Sequence, residues 1–198
     1  MPAQARGLVP ARVRRAVAGH LPARLLSALG RAPEDDATHP ERLAVLPHLS
    51  GRCVEIGCGY RKTLPASVGV DLVPGGSPGR VGNVAGKPSQ ADAAADGEHL
   101  PFRDGAFDCL VARHNLEHYV DTLAVLAEWK RVVAPGGRLV VVVPDEATFN
   151  GRTLDLDPTH YHGFSQASLP KLVEAVGLSV TRVEPVVPNW SFLLVAAR

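Results

Sequence analysis

This sequence has no large excess of positive or negative charge, no long apolar run and few cysteines. The 198 residues carry 21 Lys and Arg against 20 Asp and Glu, and a net charge of +1 gives no general electrostatic reason to expect a nucleic-acid partner. No apolar stretch approaches the roughly 18 residues of a membrane-spanning helix, and the amino terminus lacks the apolar block of a secretory signal. We therefore expect a cytoplasmic protein with a small-molecule partner and no membrane span. The composition leaves its oligomeric state open.

The three cysteines also argue against a disulfide framework. Cys53, Cys58 and Cys109 each lie inside or beside an apolar run that is typical of a core strand. Their odd number and apolar surroundings favour buried, reduced thiols. With 45% hydrophobic residues, a chain of this length can bury one sizeable core.

Basic residues are concentrated at the amino terminus, where six arginines precede the first acidic residue, Glu34. Apolar residues recur at every fourth position over residues 9–29, which predicts short helices whose length two prolines limit. We predict a helical cap or arm over residues 1–50 and a main domain over residues 51–198. A lid, a site for an anionic substrate and a membrane-surface contact are the alternative roles for this arm.

From residue 52 onward, short β-branched runs alternate with helical patterns, which predicts a parallel sheet. The run 140–143 is continuously apolar, as expected for a strand that is covered on both faces. Residues 74–88, rich in Gly and Pro, are predicted to be irregular. The predicted fold is α/β, with a Rossmann-like, doubly wound, mostly parallel sheet, an antiparallel final strand and helices on both faces. Its seven predicted strands are 52–56, 68–72, 90–95, 107–113, 138–143, 178–185 and 191–197, and its helices are 40–49, 121–133 and 166–176.

The strongest functional signal is at residues 54–59, where the apolar run Val-Glu-Ile leads into the turn Gly-Cys-Gly. Glycines there allow positive φ and a close approach of a ligand to the backbone. A dinucleotide-binding turn would hold a diphosphate, which the carboxylate of Glu55 would repel. The third glycine of that motif is also missing, because Lys62 stands in its place. S-adenosylmethionine (SAM) presents an ammonium and a sulfonium instead of phosphate, and a nearby carboxylate suits it.

At this motif the chain resembles the class I SAM-dependent methyltransferases, and the resemblance continues over about residues 52–198. Residues 68–71, Val-Gly-Val-Asp, resemble the second strand of the family, which implies that Asp71 accepts hydrogen bonds from the ribose hydroxyls. Residues 96–102 resemble the family's Asp-Ala-x-x-Leu-Pro-Phe segment. That likeness implies that Asp96 and the next backbone N–H reach the adenine, with Asp92 as the rival if the strand register is shifted.

The resemblance extends to the segments that face the methionyl group and the acceptor. Residues 107–118 resemble the fourth strand and its loop, and residues 135–140 resemble the turn into the fifth strand. The family implies SAM as the cofactor and methyl transfer to a small molecule or a glycan or natural-product precursor. The implied cofactor-binding residues are Glu55, Gly57, Cys58, Gly59, Asp71, Leu72, Asp96, Gly97, Arg113 and His114.

The connection between the first two predicted strands departs from the family pattern. Only eight residues, 60–67, separate Gly59 from Val68, and Pro65 interrupts them, so the usual helix of several turns does not fit. This segment resembles a subgroup of small bacterial methyltransferases with a shortened loop, some of which are thought to act on surface polysaccharides or natural products. Arg61 and Lys62 either cover the cofactor or face solvent. A binding or regulatory domain without catalysis is the alternative function.

The histidines offer two further interpretations. His114, Glu117 and His118 match H-x-x-E-H, an inverted zinc-protease signature, which makes a zinc hydrolase a remote alternative. Because a similar loop is common in methyltransferases at this position, we predict no metal and expect Glu117 and His118 to orient the loop. His160 and His162 precede the last predicted helix, on the acceptor side. The candidate bases are, in order, His114, His160 and His162.

Overall fold

A computed structural model describes residues 39–79, 85–149, 152–155 and 157–198 of the protein. The strands of the described part are β1 (Cys53–Ile56), β2 (Val68–Asp71), β3 (Ala93–Ala94), β4 (Phe107–Arg113), β5 (Val133–Pro144), β6 (Ser179–Val187) and β7 (Ser191–Ala197). The α-helices of the described part are α1 (Pro40–Val45), α2 (Thr122–Val132) and α3 (Leu169–Ala175). Short 3₁₀ turns occupy Leu46–His48, Leu116–His118, Glu146–Phe149 and Thr153–Asp155.

Within these residues the seven strands form one sheet in the order β3-β2-β1-β4-β5-β7-β6. The neighbours from β3 to β5 pair in parallel, whereas β7 pairs antiparallel with both β5 and β6. The chain order reverses between β1 and β4, and the crevice at the carboxyl ends of those strands is where such sheets bind ligands. The predicted α/β fold and its antiparallel final strand are confirmed.

Both faces of the sheet are covered, which explains the continuous apolar run in β5. Val141 and Val143 pack in the cluster that contains Trp129 of α2 and Leu169 of α3. Val140 and Val142, which point to the opposite face, pack in the cluster that contains Val45 of α1. Each of these side chains is fully buried. Burial of a large apolar side chain stabilises a fold by about 1.5–3 kcal/mol.

Local hydrogen bonds explain where the helices begin. Asp121 caps α2 as predicted, because its carboxylate accepts a hydrogen bond from the N–H of Ala124 at 2.9 Å. The third helix begins three residues later than predicted. Ser165 and Ser168 each accept a hydrogen bond from the other's backbone N–H, at 3.1 and 2.9 Å, and this turn takes up the first residues of the predicted helix.

Several further predictions can be compared with the described residues. Cys53, Cys58 and Cys109 are buried free thiols, as expected. The described part contains no helix with the length and apolarity needed to cross a membrane. The predicted arm falls largely on residues 1–38, outside the described residues, and so do residues 80–84 of the irregular stretch. The predicted strand 90–95 is reduced to β3, because the N–H of Gln90 bonds to the carbonyl oxygen of Gly59 at 2.8 Å before the chain joins β2.

Candidate active site

The glycine turn directly follows β1 at the carboxyl edge of the sheet. Gly57 and Gly59 have φ of 68° and 54°, a conformation that favours glycine. A Cβ on Gly57 would lie 2.3 Å from the side-chain nitrogen of Asn115, so the loop after β4 also requires glycine here. The backbone N–H groups of Gly57 and Cys58 donate to the carbonyl of Val70, at 2.9 and 3.2 Å. The turn is therefore fixed where β1, β2 and β4 meet.

Asp71, at the end of β2, lies against this turn. Its Oδ2 accepts a hydrogen bond from the N–H of Gly59 at 2.9 Å, and its Oδ1 accepts one from the N–H of Val73 at 3.0 Å. Each carboxylate oxygen can accept a further hydrogen bond, so both remain able to bind hydroxyl groups. The next residue, Leu72, is 72% exposed.

Gly97, in the segment after β3, packs against the end of β1. A Cβ on this buried glycine would lie 2.1 Å from the hydroxyl of Tyr119 and 3.0 Å from Cγ2 of Ile56, at the end of β1. Asp96, beside it, is exposed and accepts a hydrogen bond from the N–H of Glu98 at 3.1 Å. The backbone of this segment thus packs directly on the strand that carries the glycine turn.

The rival carboxylate, Asp92, is engaged elsewhere. It accepts hydrogen bonds from Nζ of Lys62 at 2.9 Å and from the N–H of Gly69 at 2.8 Å. The same ammonium group donates to the carbonyl of Ser67 at 2.8 Å. Asp92 and Lys62 together fasten the short connection between β1 and β2.

Tyr119 lies near several of the acidic side chains of this region. Its hydroxyl donates to Oδ1 of Asn115 at 3.1 Å. Burial raises the pKa of Tyr119, and the negative charges of Asp96, Glu98 and Asp71 raise it further. Three carboxylates therefore place negative charge near the hydroxyl of Tyr119, which suits a cationic ligand.

Glu55 lies below this edge rather than on it. Its buried carboxylate accepts hydrogen bonds from the N–H and the hydroxyl of Thr63, at 2.6 and 2.8 Å, and a guanidinium nitrogen of Arg113 lies 3.9 Å away. Burial raises the pKa of Glu55, against the opposing effects of Arg113 and Thr63. In this structure Glu55 anchors the shortened connection, and a direct contact with the cofactor stays a prediction.

His114 forms an ion pair with α1. Its Nε2 lies 2.9 and 3.0 Å from the two carboxylate oxygens of Glu41, which also accepts a hydrogen bond from the hydroxyl of Ser191. Burial alone would lower the pKa of His114, but the carboxylates of Glu117 and Glu41 outweigh it and raise the pKa to about 10. Burial would likewise raise the pKa of Glu41, yet His114, Ser191 and His39 lower it to about 2. Both partners are therefore charged near neutral pH.

The other two candidate bases have different partners. Nδ1 of His160 lies 3.1 Å from the carbonyl oxygen of Thr153, and its ring contacts that of His118 with centroids 4.8 Å apart. Nε2 of His162 lies 2.9 Å from the carbonyl oxygen of Val120. The structure thus joins His160 to His118, and it joins His114 to Glu41 rather than to either of the other candidate bases.

Comparisons with known proteins agree with this geometry. Residues 54–141 match a family model described as a methyltransferase domain. A demethylmenaquinone methyltransferase of Mycolicibacterium gilvum is 34% identical over 123 residues, which are 62% of this chain and 48% of that protein. Over this part of its length, the chain is similar to the SAM-dependent methyltransferases. It spans about half the length of the curated relatives it matches, with 48% of this one and 42% of its counterpart in Mycolicibacterium paratuberculosis.

Solved structures share the fold of this chain. A SAM-dependent methyltransferase of Thermotoga maritima, described as a possible histamine N-methyltransferase, is 23% identical with a TM-score of 0.60, covering 79% of this chain and 87% of that one. A putative methyltransferase of Haloferax volcanii, solved in a complex with a methyltransferase activator, is 18% identical with a TM-score of 0.65, covering 82% and 90%.

The candidate site contains residues that the sequence patterns did not single out. Asn115 packs against Gly57 of the glycine turn, and Tyr119 packs against Gly97. Thr63 bonds to Glu55, and Glu41 pairs with His114. For Asn115 and Tyr119, position in the loop after the fourth strand was the available signal. For Glu41, which lies 73 residues before His114, no local pattern indicates the contact.

Proposed function

We propose that this chain binds SAM at the carboxyl edge of β1, β2 and β4 and transfers its methyl group to a small-molecule acceptor. The observation that carries the proposal is the placement of Asp71 against the glycine turn and of Gly97 against the end of β1, with carboxylates near Tyr119. When bound, SAM supplies a methyl group on a positively charged sulfur. The acidic surroundings suit that charge, and a diphosphate cofactor would be repelled.

The residues present fit the parts of SAM. The carboxylate of Asp71 has acceptor capacity left for the ribose hydroxyls, and a charged hydrogen bond of this kind contributes about 1.5–3 kcal/mol. Asp96 is exposed beside Gly97, which supports the proposal that this segment binds the adenine. The Nε–H of Arg113 is buried and has no hydrogen-bond partner among the described residues, which makes it a donor for the carboxylate of the methionyl group.

On the acceptor side, we propose that this chain acts mainly by positioning. Methyl transfer is a displacement at the sulfonium, and correct alignment of the two reactants supplies much of the acceleration. His114 is held as a cation by Glu41 and Glu117, so we infer that it does not serve as the base. His160 and His162 remain the predicted bases, which only an acidic acceptor requires.

The acceptor class is tested with a panel that separates the candidate compounds. The names of the relatives support including demethylmenaquinone, and the shortened connection supports glycan and natural-product precursors. We expect purified protein to release S-adenosylhomocysteine (SAH) from SAM with at least one acceptor, and an Asp71→Ala variant to lose that turnover at the same SAM concentration. Asp155→Ala, which alters an exposed carboxylate, is the matched control. SAM binding without turnover on any acceptor would contradict methyl transfer and favour a binding domain.

A further inference from the structure

Three potential metal ligands meet beside the loop that follows β4. Glu117, His118 and His160 each offer one ligand atom, and these atoms lie within 4.8 Å of one another. Two of them come from the 3₁₀ turn Leu116–His118, and the third comes from the segment before α3. We refer to these three side chains as the Glu-His-His cluster. The proposed SAM contacts do not use it.

The carboxylate of Glu117 is buried without a hydrogen-bond donor. Its side chain is 2% exposed, and neither oxygen has a hydrogen-bond partner among the described residues. Nδ1 of His114 lies 3.6 Å from Oε1, which is longer than a hydrogen bond. The nearby His114 cation offsets the charge of this carboxylate, but both oxygens keep acceptor capacity that a further ligand could use.

Hydrogen bonds fix His118 so that one ring nitrogen is available. The hydroxyl of Thr159 lies 2.6 Å from Oδ1 of Asp157, and it donates there because a carboxylate only accepts. Oγ1 of Thr159 therefore accepts from Nδ1 of His118, 3.0 Å away. The proton on the ring lies on Nδ1, and Nε2 of the neutral imidazole presents its lone pair.

His160 is oriented by the same principle. Its Nδ1 lies 3.1 Å from the carbonyl oxygen of Thr153, which only accepts, so Nδ1 is the donor and Nε2 of the neutral ring is free. In metal-binding histidines, the ring nitrogen that does not bind the metal usually donates to an oxygen, which fixes the ring. Both imidazoles of the cluster have such an oxygen.

The backbone holds the two segments of the cluster together. The N–H groups of Tyr161 and His162 donate to the carbonyl oxygen of Glu117, at 2.8 and 3.3 Å. The ligand from the second segment is thereby placed against the first without an ion. A cluster formed in this way loses little conformational entropy when it binds a metal.

We propose that the Glu-His-His cluster binds one divalent transition-metal ion. Two imidazole nitrogens and one carboxylate oxygen suit Zn²⁺ or Co²⁺ better than Mg²⁺ or Ca²⁺, which prefer oxygen alone, and three protein ligands leave a position open for water. The ligand set differs from that of the H-x-x-E-H signature, which requires a helix to bring His114 beside His118. Here His114 directly follows β4 and pairs with Glu41, and His160 takes its place. Metal binding by this cluster can be measured without SAM, and an ion on Nε2 of His160 would leave His162 as the predicted base.

The test uses the full chain after treatment with a chelator and dialysis, without SAM. Titration with Co²⁺, followed by its visible absorption, and with Zn²⁺, followed by calorimetry, should show one ion bound per chain. His160→Ala and the more conservative His160→Gln should each weaken binding at least about tenfold, with unchanged circular dichroism. Thr159→Val removes the hydroxyl partner of His118 and leaves Nδ1 only the carbonyl oxygen of residue 159, 3.2 Å away, so it should also weaken binding.

His162→Ala is the matched control, because this neighbouring histidine lies outside the cluster and should leave the affinity unchanged. Absence of Co²⁺ and Zn²⁺ binding at millimolar ion concentration would overturn the proposal. Binding that both His160 variants retain with the wild-type affinity and Co²⁺ spectrum would also overturn it. Neither result bears on SAM binding, which is measured separately.

Discussion

The ion pair between Glu41 and His114 determines how the stability of the protein should respond to acid. The pKa of Glu41 falls from its ordinary value of 4.5 to about 2 in the folded protein, because the hydrogen bonds and charge of His114 and the hydroxyl of Ser191 outweigh burial. A carboxyl with a lowered folded-state pKa stabilises the fold fully above its unfolded-state pKa. That stabilisation is lost as the pH falls from about 4.5 through about 2.

The size of the effect follows from the pKa change. At about 1.4 kcal/mol for each pKa unit, the lowered pKa contributes about 3 kcal/mol at neutral pH, of which about 2 kcal/mol is lost by pH 3. His114, whose folded-state pKa is about 10, is protonated in both states well below its ordinary value of 6.5 and adds no slope in this range. Glu41 and His114 form one interaction, so the stabilisation that the Glu41 pKa gives is not added to a second value for His114.

The measurement is urea unfolding of the wild type and of Glu41→Gln between pH 3 and 7, followed by circular dichroism. The variant should be less stable near neutral pH, and the difference in unfolding free energy should narrow by about 2 kcal/mol toward pH 3. Asp155→Asn, at an exposed carboxylate, should follow the wild-type curve closely. A difference between wild type and Glu41→Gln that stays constant from pH 7 to pH 3 would refute the linkage argument.

Substitutions at three further residues test the local structure. Gly57→Ala places a Cβ 2.3 Å from the side-chain nitrogen of Asn115, at a φ of 68°. It should therefore lower stability by about 1–3 kcal/mol and weaken SAM binding. Unchanged thermal unfolding would contradict this. Thr63→Val removes the hydroxyl that donates to buried Glu55 and should lose about 1–3 kcal/mol in urea unfolding, whereas Thr63→Ser should retain most of the stability. Asp121→Ala removes the cap of α2 and should lose about 1 kcal/mol in the same assay while SAM affinity stays at the wild-type value.

The sequence predicted the fold well because the fold depends on local patterns. The apolar run in β5 and the glycine turn after β1 each carry their signal within a few adjacent residues. The alternation of strands and helices then restricts the possible sheets to a few. The predicted third helix began too early because reciprocal serine bonds, which pattern and propensity do not reveal, form a turn before Leu169.

The site was only partly predictable, for the same physical reason. Gly57, Gly59, Asp71 and Gly97 lie together at the carboxyl edge as their motifs imply, because parallel strands end on one side of a sheet. Contacts between distant segments carry no such signal. The Glu41 carboxylate bonds to residues 73 and 150 positions away, and His160 contacts His118 across a loop, so neither a charged His114 nor the Glu-His-His cluster follows from sequence.

Calorimetric titration of the wild-type protein with SAM tests the central claim most directly. We predict binding at one site per chain, weakened about 10- to 100-fold in Asp71→Ala by loss of a charged acceptor of the ribose hydroxyls, and unchanged in Asp155→Ala. Absence of wild-type binding to both SAM and SAH at millimolar concentration, in protein whose circular dichroism shows it to be folded, would contradict the account.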